Sequence, residues 1–264
     1  MPSQGTPPVT SDICQFQKPS KNHPAPPNID NGEISMPHCV RFQMTNPENI
    51  TRRPLKSRNT KWASAIARGL ARAGVRPNTI SVAGTVFAAG AGISLWFAGR
   101  ANHDWRWTVL LIAAACGMQL RLLCNLFDGM VAIEGGFKTK AGELFNELPD
   151  RFSDAFIFAG AGCATPEFAW THELGWTAAV LAVITAYVRA LGASMGAGQL
   201  FLGPMAKQQR MGLMTGACII AAAAPCFAPL AQIIPVALGF VVAGCLITIF
   251  RRCARIAREM ESRP

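Results

Sequence analysis

Polar residues and proline dominate the chain up to about residue 50, and long apolar runs separated by short polar breaks follow. The first stretch, with segments such as PSKNHPAPPNIDNG, has too few apolar side chains to offset the entropy of ordering a chain. Residues 1–50 are therefore predicted to form a disordered tail. In KSRNTKWASAIARGLARAGV, Trp62, Ala65, Ile66, Gly69, Leu70 and Ala73 recur at helical spacing against Lys61, Arg68 and Arg72. This pattern predicts an amphipathic helix lying in a membrane interface, within residues 51–77. Six apolar segments follow, at roughly 79–98, 107–127, 144–163, 174–196, 211–229 and 233–250. Each approaches the about 20 residues that cross a bilayer. Pro229 and Pro235 mark a short turn that makes the last two segments a hairpin. The predicted fold is all-α: a six-transmembrane-helix bundle over residues 78–250, preceded by the interfacial helix and followed by a basic tail at 251–264.

Charge adds an orientation. Lys and Arg number 25 against 15 Asp and Glu, and the excess sits beside the apolar runs. Arg52, Arg53, Lys56, Arg58, Lys61, Arg68, Arg72 and Arg76 precede the first run, and Arg251, Arg252, Arg255, Arg258 and Arg263 follow the last. Lys138 and Lys140 lie in the second connection, and Lys207 and Arg210 in the fourth. The first connection holds Arg100 and Arg106, and the third holds Glu167, His172 and Glu173. By the enrichment of cations on cytoplasmic flanks, both termini are predicted to be cytoplasmic. Such flanks suit anionic membrane lipids as partners. Long apolar runs without a nucleic-acid module exclude nucleic acid. The nine cysteines form no CxxC pair and read as small hydrophobes. Polar sequence after Met1 predicts no signal peptide. His103 and His172 have no second ligand at metal spacing and read as surface histidines.

One polar cluster breaks the apolar pattern. The second segment ends RLLCNLFDGMVAIEGG and the third begins GELFNELPDRFSDAF, which brings Arg121, Asn125, Asp128, Glu143, Asn146, Glu147, Asp150, Arg151 and Asp154 near one membrane face. An ionised group within a spanning helix costs about 2.5–3.5 kcal/mol on insertion scales, so the set needs partners or a purpose. Asn125 and Asp128 are three apart, and Asn146, Asp150 and Asp154 are successive i,i+4 neighbours, so each helix presents oxygen donors on one face. Converging oxygens fit a hard divalent ion; ion pairs that serve only helix packing are the alternative.

Residues 125–150 resemble the signature of the CDP-alcohol phosphotransferase family, DxxDGxxARx8GxxxDxxxD. Asp128, Gly129, Ala132, Gly142 and Asp150 fall at matching positions, and RPNTIS at 76–81 resembles the run that opens the family's first span. The sequence departs from the pattern at Asn125 and Asn146, which stand for the first and third aspartates, and at Ile133, which stands for the arginine.

The resemblance implies a membrane transferase of phospholipid biosynthesis. It would move a phosphatidyl or other phospho-alcohol group from a CDP-activated lipid or alcohol to an acceptor alcohol with release of CMP, in the bacterial inner membrane. It implies Mg²⁺ or Mn²⁺, one or two ions, on Asn125, Asp128, Asn146 and Asp150, with Asp150 also the base and Glu147 or Asp154 as compensating ligands. Asp128, Gly129, Ala132 and Gly142 would meet the CDP group. Arg189, Lys207 and Arg210 suit an acidic acceptor headgroup. The lost aspartates keep a second reading open, a non-catalytic CDP-lipid-binding protein on the same fold. A transporter is disfavoured, since no inverted repeat is evident. Small residues in AAGAGIS and GASMGAG allow close helix contact and a homodimer.

Overall fold

The computed structural model describes residues 60–101, 104–137, 142–197, 202–223 and 232–263. The predicted tail at 1–50, His103, Lys138, Lys140 and the side chain of Glu143 lie outside the described residues. Among the described residues the regular structure is entirely helical. The seven helices are α1 (Lys61–Arg72), α2 (Pro77–Ala98), α3 (Trp105–Glu134), α4 (Gly142–Gly162), α5 (Trp170–Ser194), α6 (Lys207–Ala221) and α7 (Ile233–Glu261).

Local chemistry sets several of these boundaries. Pro77 occupies the first position of α2, where its missing N–H is no loss and its fixed φ favours the helix. Asp104 caps α3, accepting from the backbone N–H groups of Arg106 at 2.9 Å and Trp107 at 3.4 Å. Pro235, expected in a turn, instead lies in the first turn of α7, where a missing N–H breaks no helical hydrogen bond. Residues 251–261, expected as tail, continue α7.

Packing closes helices α2 to α7 into a ring, in the order α2, α3, α6, α7, α5, α4 and back to α2. Leu95, Trp107, Met118, Phe158, Met214 and Leu238 fill its centre. The indole of fully buried Trp107 donates to the Ala221 carbonyl at 3.2 Å, tying α3 to α6. Helix α1 rests on α3 through Ala63 and Ala67 against Leu126, Met130 and Val131, with Trp62 edge-on to Phe127 at 6.2 Å.

Where α2 meets α4, two glycines bring the backbones together. A Cβ on Gly92 would lie 2.3 Å from the Phe156 carbonyl oxygen, and one on Gly160 would lie 2.3 Å from that of Gly92. Surrounded by lipid, helices gain little hydrophobic drive from association, so close backbone contact supplies the packing. Gly92, from the AAGAGIS run, thus serves contact within the chain.

Val86, Ile93, Phe240 and Phe250 are among many large apolar side chains exposed on the outside of the ring. A contiguous apolar surface of this kind belongs in hydrocarbon. Helices α2, α3, α5 and α7 are long and apolar enough to cross a membrane. Of the six predicted spans, α4 and α6 do not meet that measure. Glu147, Asp150, Arg151 and Asp154 interrupt α4, and α6 has 15 residues with Lys207 and Arg210 in its first turn.

Gly92→Ala is expected to lower stability by about 1–3 kcal/mol, as overpacking does. Gly90→Ala, where an added Cβ meets nothing within 4 Å, should be neutral or slightly stabilising. Thermal denaturation of the two variants in detergent distinguishes the sites.

Candidate functional site

The polar cluster lies at one end of the ring, where α2, α4 and α6 begin and α3 and α5 end. Asn125, Asp128 and Asp150 line one pocket with Ser81, Arg121, Pro149 and Ser153. Its volume of about 10 Å³ has room for one water molecule or one ion. Helix α2 contributes Ser81, whose hydroxyl donates to Asp128 Oδ2 at 2.8 Å, and the backbone N–H of Gly129 donates to Oδ1 at 2.5 Å. Pro149 precedes Asp150 inside α4, and its carbonyl accepts from Thr85 of α2 at 3.3 Å and Ser153 at 2.9 Å. These bonds fix the turn of α4 that carries Asp150.

The cations come mostly from α6. The Lys207 ammonium bridges Asn125 Oδ1 and Asp150 Oδ2, spanning α3 and α4. Asp154 is fully buried between two guanidinium groups, Arg121 at 2.7 Å and Arg210 at 2.7 Å. Arg121 Nη2 also reaches the Asp150 carbonyl at 3.2 Å and Asp150 Oδ1 at 3.6 Å. Asp150 and Asp154 thus meet three cations, Arg121, Lys207 and Arg210, while Asp128 rests on Ser81 and the Gly129 N–H. Burying ions is tolerable only with such matching, because desolvation costs several kcal/mol per ion. Nε and Nη1 of Arg121 nevertheless have no hydrogen-bond partner among the described residues, although the side chain is 1% exposed and lines the pocket.

The predicted residues separate into groups. Asn125, Asp128 and Asp150 come together; Asn146 is exposed and does not line the pocket. Glu147 is bound by Arg151 at 3.1 Å and Arg189 at 2.5 Å, and Asp154 by its two arginines, so both compensating ligands are committed elsewhere. Lys207 faces the motif residues, while Arg210 is buried on Asp154 and the Met205 carbonyl. Arg189 stays partly exposed beside Glu147. Gly129, Ala132 and Gly142 are partly buried at the facing ends of α3 and α4.

Sequence reasoning counted Arg252 only among the basic tail, yet this side chain is buried and donates to the carbonyls of Thr185 at 2.6 Å and Leu202 at 2.9 Å. Its signal was helical spacing, since it continues the buried stripe Val241, Cys245, Thr248 and Ile256. Ser81 stood inside the RPNTIS run without an assigned role.

The donor set fits a hard divalent ion. Two carboxylates and one amide oxygen face a pocket the size of a single water molecule. Among the described residues no three His, Cys, Asp or Glu side chains are grouped to hold a metal by themselves.

No protein-family model matches the chain. The phosphatidylinositol phosphate synthase of Mycobacterium tuberculosis is 32% identical over 95 residues, covering 36% of this chain and 39% of the relative. The chain thus spans about two-fifths of the length of that curated relative. The synthase of the same name from Streptomyces avermitilis is 27% identical over 212 residues, covering 76% of this chain and 80% of the relative. The M. tuberculosis synthase with CDP-DAG bound shares the fold with a TM-score of 0.62 at 21% identity, over 75% of this chain and 94% of that one. Its complex with manganese and citrate matches with a TM-score of 0.60, also at 21% identity, over 74% of this chain and 88% of that one.

Asp154→Ala strands two buried guanidinium groups and is expected to cost about 3–5 kcal/mol, as when one partner of a buried ion pair is removed. Glu147→Ala breaks only partly exposed pairs and should cost about 1 kcal/mol or less. Denaturation midpoints in detergent check the ranking.

Proposed function

We propose, from the premise that the chain belongs to the CDP-alcohol phosphotransferase family, that it moves a phosphatidyl or related phospho-alcohol group from a CDP-alcohol to an acceptor hydroxyl and releases CMP. The observation that carries this reading is the convergence of Asn125, Asp128 and Asp150 on one pocket bordered by Arg121 and Lys207. The acceptor oxygen bonds to the phosphorus that bears the lipid alcohol, and the bond from that phosphorus to the bridging oxygen breaks. CMP leaves with the electron pair. Asp150 takes the hydroxyl proton, the role of a positioned general base. One divalent ion, magnesium or manganese, held by Asp128, Asp150 and the Asn125 amide oxygen, would neutralise charge on the diphosphate. Ser81 and the Gly129 N–H hold Asp128 in place for this task. Gly129, Ala132 and Gly142 leave space for the nucleotide to approach the ends of α3 and α4.

The acceptor headgroup meets Arg189 with Arg151, where the partly exposed Glu147 is the present counterion. A planar guanidinium suits a phosphate there, and the relatives' name, phosphatidylinositol phosphate synthase, supports a phosphorylated inositol as the first acceptor to try. Buried Arg210 holds α6 against Asp154 rather than meeting the acceptor.

In this reading α4 and α6 complete six spans, α1 lies in the interface, and both termini with the basic 251–264 segment are cytoplasmic in a bacterial inner membrane. Residues 1–50 form the tail, 51–77 the interfacial region and 78–250 the catalytic bundle, with anionic lipids at the basic flanks. A homodimer is compatible with this arrangement. CDP-lipid binding without turnover is the second reading, favoured by the amides at 125 and 146 and by the Lys207 contact on Asp150.

Purified protein with Mg²⁺ or Mn²⁺ and radiolabelled CDP-diacylglycerol should release CMP when inositol phosphate or another alcohol of a broad panel is supplied. Asp150→Asn should reduce the rate by about 10²-fold or more, the usual contribution of a general base. Binding of CDP-diacylglycerol without turnover across the panel selects the second reading.

A further inference from the structure

The least expected contact in the cluster is that of Lys207. Its ammonium sits between the side-chain oxygens of Asn125 and Asp150, bridging two helices at positions that face the same pocket. Lys207 and Arg121 face Asp150, Arg121 and Arg210 face Asp154, and Asp128 is held by Ser81 and the Gly129 N–H, so these side chains number three carboxylates and three cations before any ligand enters. A divalent ion added without an accompanying anion would leave two uncompensated positive charges in a poorly hydrated site, where unpaired charge is costly. The diphosphate of a CDP-alcohol carries one negative charge on each phosphate. One divalent ion entering with it restores neutrality; two would exceed it by two charges.

The second observation comes from Arg121. Its Nε and Nη1 are buried, lack a partner among the described residues and belong to a side chain on the pocket wall. Buried guanidinium N–H groups left unpaired cost free energy that an anionic oxygen would recover. The pocket therefore offers donors to an anion as well as oxygens to a cation.

We infer that Lys207, supported by Arg121, is a resident cation of the diphosphate site, so that the nucleotide diphosphate is held by one divalent ion and these side chains instead of by two ions. The inference rests on the transferase reading and deepens it. It assigns Lys207 to the donor diphosphate and not to the acceptor, and it gives a use to the amide at 125. A carboxylate at that position would add a negative charge to a balanced cluster and call for a further cation. Lys207 stays 19% exposed, so its long chain retains access to an entering ligand.

The test titrates Mn²⁺ into detergent-purified protein with saturating CDP-diacylglycerol, counts bound ions by the loss of the free-ion electron paramagnetic resonance signal beyond that seen with the same lipid and no protein, and measures affinity for the CDP group of that lipid separately. The natural sequence is expected to bind one Mn²⁺ per chain, and Lys207→Arg to do the same. Lys207→Met should weaken CDP-diacylglycerol binding by about tenfold or more, the loss of a charge-assisted hydrogen bond. The double variant Asn125→Asp with Lys207→Met should bind two ions. Circular dichroism melts establish that each variant is folded. If Lys207→Met does not fold, Lys207→Gln takes its place with the same expectation. Two ions in the natural sequence, a double variant that stays at one, or CDP-diacylglycerol affinity indifferent to loss of Lys207 overturns the inference while leaving the transferase reading intact. Failure of CDP-diacylglycerol to bind with or without Mn²⁺ removes both.

Discussion

Charge pairing at one end of the helical ring is the constraint on which the arrangement depends. A carboxylate within a bundle of apolar helices is stable only beside a matching cation. Asp154 shows this most plainly, fully buried with one guanidinium from α3 and another from α6. Those two bonds hold three helices in one register, and the register sets the distance between the Asp128 and Asp150 faces. The geometry of the pocket therefore depends on an ion triad of which only Arg121 lines it.

The helices themselves are held differently. Small residues let α2 and α4 touch backbone to backbone at Gly92 and Gly160, and the opposite end is tied by the Trp107 indole to α6. The ring thus keeps its charged groups paired at one end and an apolar surface outside.

Much of this was legible in the residues. Apolar runs located all six helices of the ring to within a few residues at most ends, because a segment that must satisfy its own backbone in lipid has little choice but to be helical. The motif spacing brought Asn125, Asp128 and Asp150 together, since it fixes which turn of each helix faces the other. What stayed hidden were partnerships across long sequence separations. Nothing local in LGPMAKQQR shows that Lys207 reaches Asn125 while Arg210, three residues on, reaches Asp154. Glu147 and Asp154 looked available as ligands because spacing reports direction along a helix and says nothing of a competing arginine on another. The count of spans was harder to read for the same reason, as the charges that interrupt α4 are affordable only after α6 has docked.

The order in which the ring closes has a consequence for biogenesis. Neighbours in space follow the sequence α2, α3, α6, α7, α5, α4, so the seam between α3 and α5 stays open until the last two helices emerge. A chain that ends after α5 leaves Asp150 and Asp154 beside Arg121 but without the cations of α6. Arrival of α6 brings Lys207 to Asp150 and Arg210 to Asp154, so the last helices to emerge complete ion pairs that the earlier ones leave unfinished.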